Sequence, residues 1–235
     1  MLPLRDNVPT RTFPLVTVGL IVVNVLVWFW EVGGPTSIQT DVFEYGYYPC
    51  QIDGPCLGPA LQSEIPWWQN AFTSMFMHGG WEHIIFNMLF LWIFGNNVED
   101  ALGKVRFFLW YIVGGLAATT LQTFVTLNWG DAQEASIPNI GASGAIAAVL
   151  GAYLILLPHA RVLTAIFIIL IFLQEIPALF FLGFWFFFQL WQGGWSILQP
   201  EAGGGVAFFA HIGGFVFGMA TILLVTKRRP LQPKY

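Results

Sequence analysis

Four polar side chains stand out against an apolar background: His83 and Asn87 in "GWEHIIFNMLF", Ser143 in "NIGASGAIAAVLG" and His211 in "FFAHIGGFVFGM". A serine hydroxyl becomes a nucleophile when a neighbouring base takes its proton, and imidazole is suited to that task near neutral pH. The oxygen that turns negative in the resulting tetrahedral intermediate needs preorganised donors. His83 and Asn87 are four apart, so a helix puts both on one face. The unpaired N–H groups at the start of a helix, that of Ser143 among them, add to such a set. Gly141 and Gly144 let the chain turn tightly and let another backbone come close. Acyl transfer is the chemistry these groups fit, with Ser143 as nucleophile and His211 as base. Glu82 and Glu201 lie on the outer flank, so no carboxylate is placed to orient His211, and the expectation is a dyad. No cofactor is expected. No metal is expected either, because neither carboxylate nor cysteine completes a set with His78 and His83.

Each of these residues alone has a plainer explanation. A serine at a helix start commonly caps it. A lone buried histidine can bond a backbone carbonyl, and a His–Asn pair can join two membrane helices. "GASGA" is not the nucleophile elbow of soluble hydrolases, since Ala145 stands where that pattern ends in glycine. It is the combination that needs a common cause.

The elements that carry these residues are membrane helices. The chain of 235 residues is 56% hydrophobic and only 9% charged, with 23 Phe and 11 Trp, which no ordinary soluble domain matches. Uncharged runs at Phe13–Trp30, Trp81–Val98, Phe107–Leu127, Ala142–Leu157, Pro177–Trp191 and Val206–Thr226 approach the roughly 20 residues that cross a bilayer. The expected fold class is therefore an all-α membrane protein of six transmembrane helices. The expected organisation is an N-terminal tail over 1–12, a membrane domain over 13–226 with a long outer loop over 31–80, and a basic tail over 227–235. The first span lacks an A-x-A-like site and reads as a retained helix. No nucleic-acid motif is present.

All nine Lys and Arg fall at the N-terminus (Arg5, Arg11), in the second and fourth loops (Lys104, Arg106, Arg161) or at the C-terminus (Lys227, Arg228, Arg229, Lys234). Six crossings put these places on one side, which the positive-inside rule makes cytoplasmic, with both termini there. Nine of the thirteen acids lie on the other side. The second, fourth and sixth helices then run inward together. Ser143 and His211 lie 18 and 16 residues above Arg161 and Lys227. That is about 27 and 24 Å at 1.5 Å per residue, just below the outer surface of a core about 30 Å thick. Leu163–Leu173 is too short to cross and is expected at the inner interface, with Glu175 beside it and the fifth helix starting at Pro177. Cys50 and Cys56 in "PCQIDGPC" lie in the outer loop, where an oxidising exterior permits a disulfide. The Phe-rich fifth helix is expected to face lipid.

H-x-x-x-N at His83 and Asn87, "GASG" around Ser143 and "AHIGGFVFG" around His211, in this order and spacing, resemble the rhomboid intramembrane serine proteases over about residues 13 to 226. The resemblance implies a six-helix rhomboid-like fold, Ser143 as nucleophile, His211 as its base, and His83 and Asn87 at the oxyanion site. It also implies that Gly214 and Gly218 let the last helix approach the serine helix closely, as small residues four apart do in membranes. By the same resemblance the partners are the lipid bilayer and a transmembrane protein substrate. That substrate would be a single-pass protein that unwinds and is cut near the outer surface. Lateral entry past the fifth helix and the outer loop beside Gln189–Gly194 is a separate expectation. The expected location is a bacterial plasma (inner) membrane. Two departures stand out: Gln69 replaces the arginine of a Trp-Arg pair in the outer loop, and Ala147 replaces an aromatic residue that packs on the histidine. The alternative functions are a non-catalytic membrane adaptor that binds transmembrane helices, and a small transporter. The adaptor would tolerate loss of Ser143 or His211, and a transporter would carry ionisable residues along a midplane path.

Overall fold

The structure, a computed structural model, describes residues 1–62, 64–167, 170–198 and 207–233. Glu201, the Val206 start expected for the last span and Lys234 lie outside these residues. Each of the six segments expected to cross is helical: α1 Leu15–Gly33, α2 Trp81–Leu102, α3 Lys104–Trp129, α4 Ser143–Leu156, α5 Ala178–Leu198 and α6 Phe208–Val225. By length and composition α1, α3 and α6 are long and apolar enough to cross a membrane. The protein is an integral membrane protein, helical in the main.

The helix ends follow from local chemistry. Pro14 precedes α1, and the free N–H groups of Val16 and Thr17 donate to the Glu99 carboxylate at 3.1 and 2.7 Å. An anion at a helix N-terminus is stabilised by the helix dipole, so the buried Glu99 caps a helix 83 residues away in sequence. Asp100 beside it pairs with Arg11 at 3.0 Å. Gly103, at φ 81°, ends α2 and lets α3 begin at the next residue.

The segment between α4 and α5, with the N-terminal residues, corrects the all-α expectation. Of the stretch Leu163–Leu173, residues 163–167 lie in β2 Arg161–Phe167 and residues 171–173 in β3 Ile171–Pro177, which pair antiparallel with Leu163 opposite Glu175. The N-terminal residues form β1 Leu2–Asp6, antiparallel to β2 with Leu2 opposite Ala165, giving the order β1–β2–β3. In β2 and β3 the cause is the side-chain content: Val, Ile, Thr and Phe favour an extended chain. The register slips between Pro3 and Arg5, where proline has no N–H for the ladder. A sheet with two open edges does not persist in hydrocarbon, so it belongs at the aqueous boundary. Asp6 ties it to the helices, accepting from the Tyr153 hydroxyl and from Asn97 Nδ2 at 2.8 Å.

The centre of the fold is α4. Ala145 to Tyr153 are all buried, wrapped by α2, α3, α5 and α6. At 14 residues α4 is about 21 Å long, short of the about 30 Å hydrocarbon thickness. It can be short because protein, not lipid, surrounds it. Its closest partner is α6. A Cβ on Gly214 would collide with the carbonyl oxygen of Gly144, and one on Gly218 with that of Ala148. From the other side, a Cβ on Gly151 would strike the Phe215 carbonyl. Lipid tails are as apolar as leucine, so this seam is held by close van der Waals contact rather than by escape from water.

Gly218→Val should therefore force the helices apart and cost roughly 1–3 kcal/mol. That is a fall of about 3–10 °C in the thermal midpoint in detergent. Gly183→Ala, on α5 with nothing within 4 Å of the new methyl, should leave the midpoint unchanged or raised.

Candidate active site

Ser143 is the first residue of α4, and the helix cap is Ala142. No side chain caps this end, so the serine hydroxyl is not spent on its own helix. His211 sits in the first turn of α6. The N–H of Ala210 beside it donates to Gln122 Oε1 on α3 at 3.1 Å, which pins that turn. The close α4–α6 seam brings the two side chains together, with Ser143 Oγ 2.8 Å from His211 Nε2. Gly144 completes the approach, since a Cβ there would lie 2.7 Å from the Ala118 methyl on α3.

Gly141 does a different job. Its φ of 114° lies where residues with a side chain are strained. A Cβ there would lie 2.6 Å from His83 Nε2 and 3.6 Å from Ser143 Oγ. The missing side chain is thus the space that the His83 imidazole and the serine hydroxyl share. The backbone is held by Gly141 N–H donating to Ser74 O at 2.8 Å, and by paired bonds between Tyr47 and Asn139 at 3.1 and 2.8 Å. These bonds dock the segment between α1 and α2 onto the residues before Ser143, while Gln69 is exposed. The loop needs no arginine at that position to be anchored. Elsewhere in it, Cys50 and Cys56 are joined by a disulfide.

His83 and Asn87 lie four apart on α2 and take their partners from the loop that precedes it. Gly79 N–H donates to His83 Nδ1 at 3.4 Å, which leaves the Nε2 nitrogen as the N–H donor on the Gly141 side. Asn87 Nδ2 donates to His78 Nε2 at 3.1 Å, and His78 Nδ1 donates in turn to the Phe76 carbonyl at 3.2 Å. His78 is fully buried, and its backbone N–H donates to the Glu31 carboxylate at 3.2 Å. Burial lowers the His78 pKa from 6.5 to about 3, with His83 nearby adding to the effect, so its imidazole stays neutral and keeps a lone pair for Asn87. The sequence singles out His78 only beside His83, as an incomplete metal-ligand set. In the structure it orients Asn87.

Two further residues touch His211, both from α5. Gln189 Oε1 lies 2.8 Å from His211 Nδ1, and the Trp185 ring lies 5.9 Å from the imidazole. The aromatic neighbour missing at Ala147 is thus supplied by a different helix. Ala147 instead sits against Gly214, where a larger side chain would crowd the seam. One face of α5 does point outward, as Phe180, Phe184 and Phe187 are exposed. The sequence cue to the inner face is Gln189 itself, a lone amide in "FWFFFQLW".

Packed membrane helices that bring a serine of one within hydrogen-bond reach of a histidine of another define the class. Comparison with known proteins gives the family. The Rhomboid domain family matches residues 66–228. Rhomboid protein 1, mitochondrial, of Saccharomyces cerevisiae is 31% identical over 152 residues, 62% of this chain and 38% of that protein. The presenilin-associated rhomboid-like protein, mitochondrial, of Pongo abelii is 30% identical over 208 residues, 86% of this chain and 46% of the relative. Rhomboid protease AarA of Providencia stuartii is 26% identical over 153 residues, 60% of this chain and 50% of the relative. The chain belongs to the rhomboid family. It spans about two fifths of the length of the mitochondrial relatives from yeast and zebrafish. Relatives named as mitochondrial and chloroplastic stand beside the one from Providencia stuartii, so they lend no support to a bacterial plasma membrane in particular.

Gly141→Ala should displace His83 and slow the reaction of Ser143 with a fluorophosphonate by roughly 10- to 100-fold, since misplacements of about 1 Å carry penalties of that size. His78 binds a proton less readily folded than unfolded. Its contribution to stability is full above about 6.5 and is lost as pH falls towards about 3. His78→Gln keeps an acceptor for Asn87 and cannot titrate. The advantage of the parent over this variant in thermal midpoint should shrink as pH is lowered through that range.

Proposed function

We propose that this protein is an intramembrane serine endopeptidase that cleaves transmembrane segments of single-pass membrane proteins near the outer surface. The observation that carries the proposal is the 2.8 Å hydrogen bond between Ser143 and His211, 68 residues apart. Ser143 Oγ attacks the scissile carbonyl carbon while its proton passes to His211 Nε2. The carbonyl oxygen becomes an oxyanion that takes hydrogen bonds from His83 Nε2–H, the Asn87 amide and the free N–H groups at the start of α4. His211 then returns the proton to the leaving amine. A water, deprotonated by the same imidazole, releases the acyl group from Ser143.

In this proposal six spans cross the bilayer with both termini cytoplasmic. Residues 13–226 form the membrane domain, 31–80 its outer loop, and 1–12 and 227–235 the flanking segments. A helix shorter than the hydrocarbon is thick sets its first residue below the outer edge, where water reaches it from one side. A substrate helix hides its carbonyls in its own hydrogen bonds, so it must unwind locally before attack. What supports this account over a membrane adaptor is the cost of the site itself. Hydroxyl, amide and imidazole groups gathered among apolar helices are expensive unless used, and Gly141 adopts a conformation that residues with a side chain rarely take, which makes room for two of them.

A fluorophosphonate should label the purified parent protein on Ser143. Ser143→Ala and His211→Ala should each abolish labelling and lower cleavage of a transmembrane substrate by at least about 10³-fold. A parent protein that takes no label would leave the adaptor as the better account.

A further inference from the structure

Gln189 is the one amide in "FWFFFQLW", and an unpartnered amide is costly among apolar helices. Its Oε1 lies 2.8 Å from the ring nitrogen of His211 that Ser143 does not use. Trp185, one turn earlier on α5, places its ring 5.9 Å from the same imidazole and also packs on Phe215 of α6. Among the described residues the ion pairs are Arg11–Asp100 and Arg161–Glu175, and neither reaches His211.

We propose that Gln189 is the positioning residue of this site. Its amide carbonyl accepts the Nδ1–H of His211 and so holds the imidazole with its Nε2 lone pair towards the Ser143 hydroxyl. The proposal rests on the serine–histidine chemistry given above and makes the dyad a Ser143–His211–Gln189 relay of orientation. Neutral imidazole carries one N–H, on either nitrogen. With the proton on Nε2 the ring faces the serine as a donor and cannot act as its base. A carbonyl oxygen can only accept, so its place opposite Nδ1 favours the tautomer that leaves Nε2 free. When Nε2 takes the serine proton, both nitrogens carry hydrogen, and the same carbonyl keeps the Nδ1–H partnered while the ring is charged. Gln189 transfers no proton. It fixes rotation and tautomer through a dipole, where a carboxylate would add charge.

The test compares Gln189→Leu, which removes the acceptor at similar volume, with Gln189→Glu, which keeps one. It uses the full chain in detergent and in vesicles. The rate of fluorophosphonate labelling reports on the serine without a transmembrane substrate, and cleavage of such a substrate separates kcat from KM. Gln189→Leu is expected to lower the labelling rate and kcat together by roughly 10- to 100-fold, a share of what general base catalysis supplies, with KM little changed. Gln189→Glu is expected to restore most of both. Labelling of Gln189→Leu at the parent rate would overturn the proposal while leaving the proteolytic reading intact. Equal slowing in both variants, with an equally lowered thermal midpoint, would also overturn it, because only helix packing would then be involved. A parent that labels no faster than Ser143→Ala would instead sink the proteolytic reading, and this proposal with it.

Discussion

Two helices must come close enough for a short hydroxyl to meet an imidazole, and they must do so where no water drives them together. In a soluble core, burial of apolar surface supplies that drive. Between helices already in lipid, contact itself has to do so, and contact strengthens only as backbones approach. The α4–α6 seam is built on that constraint. Gly214 and Gly218 face the carbonyls of Gly144 and Ala148, and Gly151 faces that of Phe215. The small residues of α4 are thus the reason that Ser143 can reach His211 at all. Larger side chains would restore hydrophobic bulk and lose the geometry.

Around that seam, the polar groups are kept usable by partners drawn from outside the helices that bear them. Asn87 bonds His78, His78 bonds Phe76 and Glu31, and Gly141 bonds Ser74. All these partners except Glu31, near the end of α1, come from the loop between α1 and α2. That loop is therefore part of the site's framework as well as a cover for it. Each bond fixes an orientation that the low-dielectric surroundings would otherwise make costly to hold.

Ser143, His211, His83 and Asn87 are legible in the sequence because each is a polar type inside an apolar run, and because counting residues from the basic loops puts them near one depth. The glycines are legible because their spacing of four serves only a close approach. Gln189 is harder to read. In a helix apolar on every side, periodicity does not reveal which face turns inward, so its neighbours Phe187, Phe188 and Trp191 suggest lipid all round. The sheet is hidden for another reason. Residues 163–173 have the composition of either a strand or an interfacial segment, and the strand that completes them lies at Leu2–Asp6, beyond the reach of any local pattern. His78 shows the same limit, since its burial depends on Glu31 and Asn87, which lie on two different helices.

The attachment of α5 has a mechanical consequence. Its N-terminal end is fastened: Ala178 and Leu179 donate to the carbonyls of Ala160 and Pro158 at 2.7 and 3.0 Å, and β3 runs directly into it. Further out it is held to α6 by ring contacts such as Phe186 on Phe215. A rod clamped at one end is a lever, and Gln189 lies about 16 Å along the arm at 1.5 Å per residue. A tilt of about 5° about the clamp moves Phe181 by about 0.4 Å and Gln189 by about 1.4 Å, enough to part a hydrogen bond whose useful range is only a few tenths of an ångström. The lever thus magnifies at Gln189 a tilt that scarcely disturbs the packing near its base.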